Sequence, residues 1–469
     1  MIADRLGSIV GPGGVLVAPS DLAGYRADST HHAPDGILCV VRPSDTAQVA
    51  AVVLACRAAG VPIVPRGGGT GFGGGALPVP GQAVVVLSTE RLRRIRLVDP
   101  VGDVLVAEAG VTLHEVQAAA AAVGRTVGLD HGGAGSSAIG GNIATNAGGN
   151  NVLRYGMARD QVLGVEAVLA DGRVLAPPRL LRKCNAGYDL RHLLVGSEGT
   201  LAIVTAVALA LRPAPVARAT AMLGVATPRD ALALLGLVRR ELGEAVSAFE
   251  LISRPSLLFH LAHAGQGREP LDTPTPWLVL VETEATSRHL ALSDAFEAVL
   301  ERALGDGLAV TGVVAASEAQ RRALWTVREG IAVAMGEAKF YMVKTDTAVP
   351  IGRVPDFVDR VEAAMAAAAP AGSRTMAFGH VGDGNIHVNV LPPEGGGDSA
   401  LREKAPDIAR CIEDIALDLG GTVSAEHGIG QGKRAALARM LSVPERDLMR
   451  AVKTAFDPDG LFNPGKLFE

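Results

Sequence analysis

The stretch VPRGGGTGFGGG limits the fold more than any other part of the chain, because seven of the nine residues from Gly67 to Gly75 lack a Cβ. It carries the spacing G-x-G-x-x-G at Gly69, Gly71 and Gly74. In a dinucleotide fold that spacing closes a strand and opens a helix whose N-terminus meets the pyrophosphate. Here the loop runs into ALPVPGQAVVVLS, two prolines followed by a β-branched run. The pattern is strand, loop, strand, and a nicotinamide dinucleotide is disfavoured. What survives is local: backbone N–H groups with no side chains between them can crowd around an anion as a nest. The lead-in, SDTAQVAAVVLACRAAGVPIVP, reads as a helix with Asp45 and Gln48 spaced as a variant capping box and a stop at Gly60, then a short strand.

A second glycine cluster, GLDHGGAGSSAIGGNIATNAGGNNVLRYG, lies between a helix capped by Thr112 and Glu115 and the strand pattern VLGVEAVLADGRVL. Two anion-cradling loops in neighbouring units point to a long ligand with two phosphates. GYDLRHLLVGSEGTLAIVTAVALALRP adds a third loop and a closing strand.

Composition excludes several classes. A chain of 469 residues is long for one core and reads as two or three folding units. A net charge of -5 leaves no basic excess for nucleic acid. The four cysteines (Cys39, Cys56, Cys184, Cys411) are scattered, which suits a reducing, cytoplasmic setting. No signal-peptide pattern and no apolar run near the ~20 residues of a spanning helix is present, so no integral membrane span is expected.

In AFGHVGDGNIHVNVL, His387 and Asn389 are two apart on a strand and share a face, while the GDGN turn lets His380 fold back toward them. TVSAEHGIG supplies Glu426 and His427. Two imidazoles and a carboxylate suit Zn2+ or another divalent metal with an open position. Neighbouring side chains on an extended segment diverge, so Glu426 can bind metal while His427 faces substrate. His31 and His32 read as a solvated loop.

Taken in order, PRGGGTG, IGGNIATNAGG, LRYG, GYDL, GSEGTLAIVT, GHVGDGNIH, SAEHGIG and FNPGKLF resemble the FAD-linked oxidoreductases of the vanillyl-alcohol oxidase type, in the branch with D-lactate and D-2-hydroxyglutarate dehydrogenases. The resemblance covers almost the whole chain. It implies an α+β fold with an N-terminal segment over 1–32, a two-lobed FAD-binding domain over 33–213, an α+β cap domain over 214–415 and a segment returning to the flavin over 416–469. The cap is expected to be a sheet covered by helices on one side. The resemblance further implies FAD held by Pro65, Arg66, Gly67, Gly68, Gly69, Thr70, Gly71, Gly75, Ser136, Gly140, Gly141, Asn142, Thr145, Asn146, Gly149, Gly156, Glu198, Gly199, Ile203 and Asn463. No histidine stands in the first glycine loop, so the FAD is expected to be non-covalent.

The same resemblance makes His380, His387 and Glu426 metal ligands and His427 the base, and sets Arg328, Lys344 and Asn389 around the substrate. The implied reaction takes a D-2-hydroxy acid, with D-2-hydroxyglutarate favoured, to its 2-oxo acid and passes electrons to an external acceptor such as an electron-transfer flavoprotein or a quinone. One departure stands out: Ala332, one helical turn after Arg328, replaces the family's threonine. D-lactate, glycolate and acids with apolar or aromatic tails such as D-mandelate therefore stay open as substrates, as does, from another class, a zinc hydrolase without flavin. Peripheral attachment to a membrane and a homodimer are also left open.

Overall fold

The computed structural model describes residues 2–29, 35–175, 177–263 and 268–468. His31 and His32 lie outside the described residues. The chain divides into two compact units. The first comprises Met1–Gly149, Tyr155–Ala214 and Glu426–Glu469, and the second Asn150–Arg154 and Pro215–Ala425. Among the described residues, no helix is long and apolar enough to cross a membrane.

Among the described residues, the first unit holds two main sheets, of four and five strands, and a small two-stranded one that pairs Arg125–Thr126 with Arg212–Pro213. In the four-stranded sheet, the strands Ile37–Val41, Val84–Ser88 and Ile63–Arg66 run parallel, with the short strand Val15–Leu16 antiparallel at one edge. The helix Thr46–Ala59 connects Ile37–Val41 to Ile63–Arg66. It begins where Asp45 accepts from the Gln48 N–H and ends at Gly60, whose φ of 63° suits a residue without a Cβ. The next connection, from Ile63–Arg66 to its parallel neighbour Val84–Ser88, is the glycine loop itself. A parallel crossover normally needs a dozen or more residues and usually a helix; here loop alone spans it, as the prolines require. Phe462 extends the edge: the Ile63 N–H donates to the Leu461 carbonyl and the Asn463 N–H to the Ile63 carbonyl, both at 2.8 Å.

The other main sheet of this unit is antiparallel, with Ile203–Ala210 at its centre between Val104–Glu108 and Val162–Val168. The helix Leu113–Ala121 packs beside it behind the full capping box of Thr112 and Glu115. The second glycine cluster is not all loop, because Ile139–Ala144 forms a short helix.

The second unit is built on an eight-stranded antiparallel sheet. Its central strands, including Trp277–Ala285 and Val246–Ser253, are buried along their whole length. Such strands need cover on both faces. Helices Pro228–Leu242, Leu292–Gly305, Val354–Ala368 and Ser399–Asp418 pack on the face of Ala221, Leu223, Phe249 and Leu251. Helices Arg254–His263 and Glu318–Glu337 pack on the opposite face, against Met222, Ala248, Ile252 and Phe378. This corrects the expectation of helices on one side: the strands carry apolar residues at both alternations.

Candidate active site

In the first unit the three glycine clusters converge. A Cβ on Gly68 would meet the Ser136 carbonyl oxygen at 1.9 Å, and one on Gly67 would lie 3.2 Å from the Ala138 Cβ, so the first loop lies directly on the second. The third loop clasps both. The Glu198 N–H donates to the Ala144 carbonyl at 2.8 Å, and a Cβ on Gly199 would strike Pro65 Cγ at 2.4 Å. Asn463 ties in the C-terminal segment by donating to the Gly75 and Glu198 carbonyls at 2.9 and 2.7 Å.

Close packing uses up part of the expected set. The Arg66 guanidinium donates to the carbonyls of Gly24, Tyr25 and Ala27. The Glu198 carboxylate accepts from the Ile429 and Gly430 N–H groups at 2.7 Å each. Asn142 donates to Ser137 Oγ, Thr145 to the Gly141 carbonyl, and Asn146 accepts from the Arg159 N–H. Gly140 and Gly149 press on the backbone of Ala109 and Asp130, Gly156 abuts Asp160, and Ile203 is a core residue.

Other groups remain open to a ligand. The N–H groups of Gly68, Gly69, Thr70 and Gly71 donate to no backbone carbonyl among the described residues. A Cβ on Gly71 or Gly141 would meet nothing within 4 Å. His131 Nε2, Asn463 Oδ1 and Lys466 Nζ are buried without a hydrogen-bond partner among the described residues. His131 Nδ1 accepts from the Gly133 N–H, which leaves the ring proton on Nε2 as an unused donor. Burial and then Arg434 push the Lys466 ammonium down to about 8, with Glu198 opposing. The unused donors His131 Nε2 and Lys466 Nζ, the loop N–H groups and two open glycines suit a polyanionic group, and a dinucleotide's pyrophosphate fits that donor set, whereas Asn463 Oδ1 can only accept.

The second unit gathers the other expected residues on one sheet face. The register sets Phe378 opposite both His387 and Ile252, and Asn389 opposite Lys344. Alternation therefore places Glu250, Ile252, Phe378, His387, Asn389 and Lys344 on the side covered by Glu318–Glu337. That helix presents Arg321, Trp325 and Arg328 at i, i+4 and i+7. Arg321 Nη1 and Trp325 Nε1 donate to Glu282 Oε2 at 2.9 and 2.8 Å. Arg328 Nε donates to Glu250 Oε2 at 2.6 Å, and its guanidinium lies 5.0 Å over the Phe378 ring.

The turn after Arg374–Gly379 brings His380 back, with its ring centroid 6.0 Å from that of His387. Its Nδ1 lies 2.6 Å from Glu250 Oε1. Burial alone would raise the Glu250 carboxyl; its interactions with His380 and Arg328 outweigh it and hold the group well below the ordinary carboxylate range. Asn389 is buried and touches Met335 Sδ at 3.6 Å. Lys344 is exposed and makes no ion pair among the described residues, and Ala332 is exposed on the helix.

Two buried carboxylates escaped the sequence reading. Glu250 and Asp346 are each 1% exposed. Asp346 accepts from Asn385 Nδ2 and the Ala425 N–H, both at 3.1 Å, and lies 3.8 Å from His387 Nδ1. It thus holds the backbone just ahead of Glu426. The available signal was an acidic residue inside SAFELIS, a run that is otherwise apolar or small: a carboxylate there is either a strand end or a buried ion with a partner. Glu426 and His427 belong to the first unit, where the His427 ring stacks on Phe72 with centroids 4.4 Å apart.

Residues 37–176 match the FAD binding domain family, and residues 214–467 match the family described as FAD linked oxidases, C-terminal domain. The chain belongs to the FAD-linked oxidases, an FAD-dependent oxidoreductase family. Within that class it is 36% identical over 453 residues to D-2-hydroxyglutarate dehydrogenase of Xanthomonas citri, spanning 96% of this chain and 93% of that protein. It is 35% identical over 460 residues to the mitochondrial D-2-hydroxyglutarate dehydrogenase of Bos taurus, spanning 97% and 81%. Among solved structures, p-cresol methylhydroxylase shares the fold at a TM-score of 0.77 and 17% identity, covering 99% of this chain and 96% of that one. The FAD-binding match removes the flavin-free hydrolase as an alternative.

Proposed function

We propose that this protein oxidises D-2-hydroxyglutarate to its 2-oxo acid with FAD as hydride acceptor and a divalent metal of the Zn2+ type as Lewis acid, and passes the electrons to an external acceptor. The observation that carries the reading is similarity to D-2-hydroxyglutarate dehydrogenases along nearly the full chain. FAD supplies the two-electron acceptor, and Gly68 to Gly71, Gly141, His131 and Lys466 are the groups that would hold it. His380, His387 and Glu426 would supply the metal with two imidazoles and a carboxylate, ligand types that suit Zn2+.

His427 accepts the substrate hydroxyl proton, with its ring held by the Phe72 stack. Asn389 faces the substrate from the strand that carries His387. Lys344 and the terminal nitrogens of Arg328 bind the distal carboxylate, because Glu250 engages Arg328 only through Nε.

The test is turnover of a panel of D- and L-2-hydroxy acids with a dye acceptor, before and after chelation. The expected result is preference for D-2-hydroxyglutarate, loss of turnover on metal removal and retention of the yellow colour. Preference for D-lactate, glycolate or D-mandelate would overturn the substrate, and full activity without metal would overturn the metal.

A further inference from the structure

We infer that Glu250 is a positioning residue that sets a metal-binding nitrogen and the substrate-carboxylate clamp at once, through its contacts with His380 and Arg328. The inference deepens the proposed function and rests on it for the identity of the two groups being positioned. A carboxylate in the middle of the apolar strand Val246–Ser253 is costly unless both oxygens are engaged. Glu250 meets that condition with two partners from different elements. Oε1 lies 2.6 Å from His380 Nδ1, just beyond the strand Arg374–Gly379, and Oε2 takes the Arg328 Nε–H from the helix Glu318–Glu337 at 2.6 Å.

Each contact selects an orientation. A carboxylate against Nδ1 requires the proton on Nδ1, so the Nε2 lone pair is left for a metal. A carboxylate against Nε fixes the plane of the guanidinium, which Phe378 supports from one side at 5.0 Å, and leaves the paired terminal nitrogens for a second carboxylate. The strand neighbours Ala248 and Ile252 are core residues on the same face and Glu250 is itself 1% exposed, so a displaced carboxylate would lose its partners without gaining water. One side chain therefore ties two functions that a sequence reading treats as separate. Gln cannot replace it: its oxygen can accept from one partner, but its NH2 then faces the other donor.

The test uses the FAD-loaded full chain with Glu250→Gln and Glu250→Asp, and His380→Ala as an assignment control. Zn2+ affinity by chelator competition should fall roughly 10- to 100-fold in Glu250→Gln, and KM for D-2-hydroxyglutarate should rise about tenfold, more than KM for D-lactate. Glu250→Asp should recover part of both. Imidazole nitrogen NMR of metal-free protein should place the His380 proton on Nδ1 in the native chain and on a mixture of the two nitrogens in Glu250→Gln.

Zn2+ affinity and KM ratio unchanged in a folded Glu250→Gln protein would overturn the inference. So would a His380 proton on Nε2 in the native chain. If the native chain holds no metal, the metal in the proposed function fails, while the nitrogen spectrum and the KM ratio still decide the role of Glu250.

Discussion

At the scale of single residues, the glycine loops separate into those that serve the fold and those that leave room. Gly68 and Gly141 read alike in the sequence, as members of two anion-cradling loops, yet a Cβ at Gly68 would overlap Ser136 while one at Gly141 would enter open space. Gly68→Ala should therefore destabilise the protein by about 1–3 kcal/mol, as overpacking does. Gly141→Val should leave the melting temperature of the apoprotein nearly unchanged and lower the FAD content, read as the 450 nm to 280 nm absorbance ratio. Lys466 provides a pH-dependent test. Its folded pKa of about 8 is below the ordinary 10.5. Below about 8 both folded and unfolded apoprotein carry the proton, and the burial penalty is fully present. Between about 8 and 10.5 only the unfolded chain keeps it, so apoprotein stability rises with pH across that window. Lys466→Met should flatten that rise and stabilise the apoprotein at pH 7 by on the order of 3 kcal/mol, while FAD dissociates more readily. Denaturant midpoints of apoprotein measured from pH 7 to 10.5 check it, and a native profile that is already flat would refute the assignment.

At the scale of elements, the helix Glu318–Glu337 is docked by charge as well as by apolar packing. Arg321 and Trp325 meet Glu282, and Arg328 meets Glu250. Arg328→Ala consequently tests two things at once, because it leaves Glu250 with His380 alone and should lower the melting temperature as well as activity. Lys344 is the cleaner probe, being exposed and, among the described residues, without an ion pair. Lys344→Ala should cut kcat/KM for D-2-hydroxyglutarate roughly ten- to a hundredfold, leave D-lactate within about twofold and leave the melting temperature in place. Equal harm to both acids would place Lys344 at C1 or outside the site. Ala332→Thr, one turn beyond Arg328, should favour the dicarboxylate over acids with apolar tails in the same assay. These elements also mark what the sequence reveals at their scale. The caps at Asp45 and Thr112 and the stop at Gly60 lie where local turn chemistry puts them. The two-sided helical cover of the second sheet was missed because a strand's apolar alternations do not say which helices will reach each face.

At the scale of the whole molecule, the FAD assignment makes a simple demand. With no histidine in the first glycine loop, acid or heat should release the flavin into the supernatant after precipitation, and flavin that stays with the polypeptide would contradict a non-covalent cofactor. The order of motifs along the chain was enough to establish the oxidoreductase class and the expected imidazole pair, because turns, caps and alternation are encoded in neighbouring residues. Gly67 to Gly71 and the GHVGDGNIH hairpin are legible for that reason. Tertiary structure alone decided which of those residues are left free for ligands. Arg66 and Glu198 belong to convincing cofactor motifs, yet their charged ends are engaged by backbone groups of distant segments. Glu250 and Asp346 look unremarkable in sequence because their partners are remote: Arg328 is 78 residues from Glu250, and His380 is 130. A buried charge acquires its meaning from what surrounds it in space, since only a low-dielectric interior makes pairing obligatory, and no local pattern in the chain records that pairing.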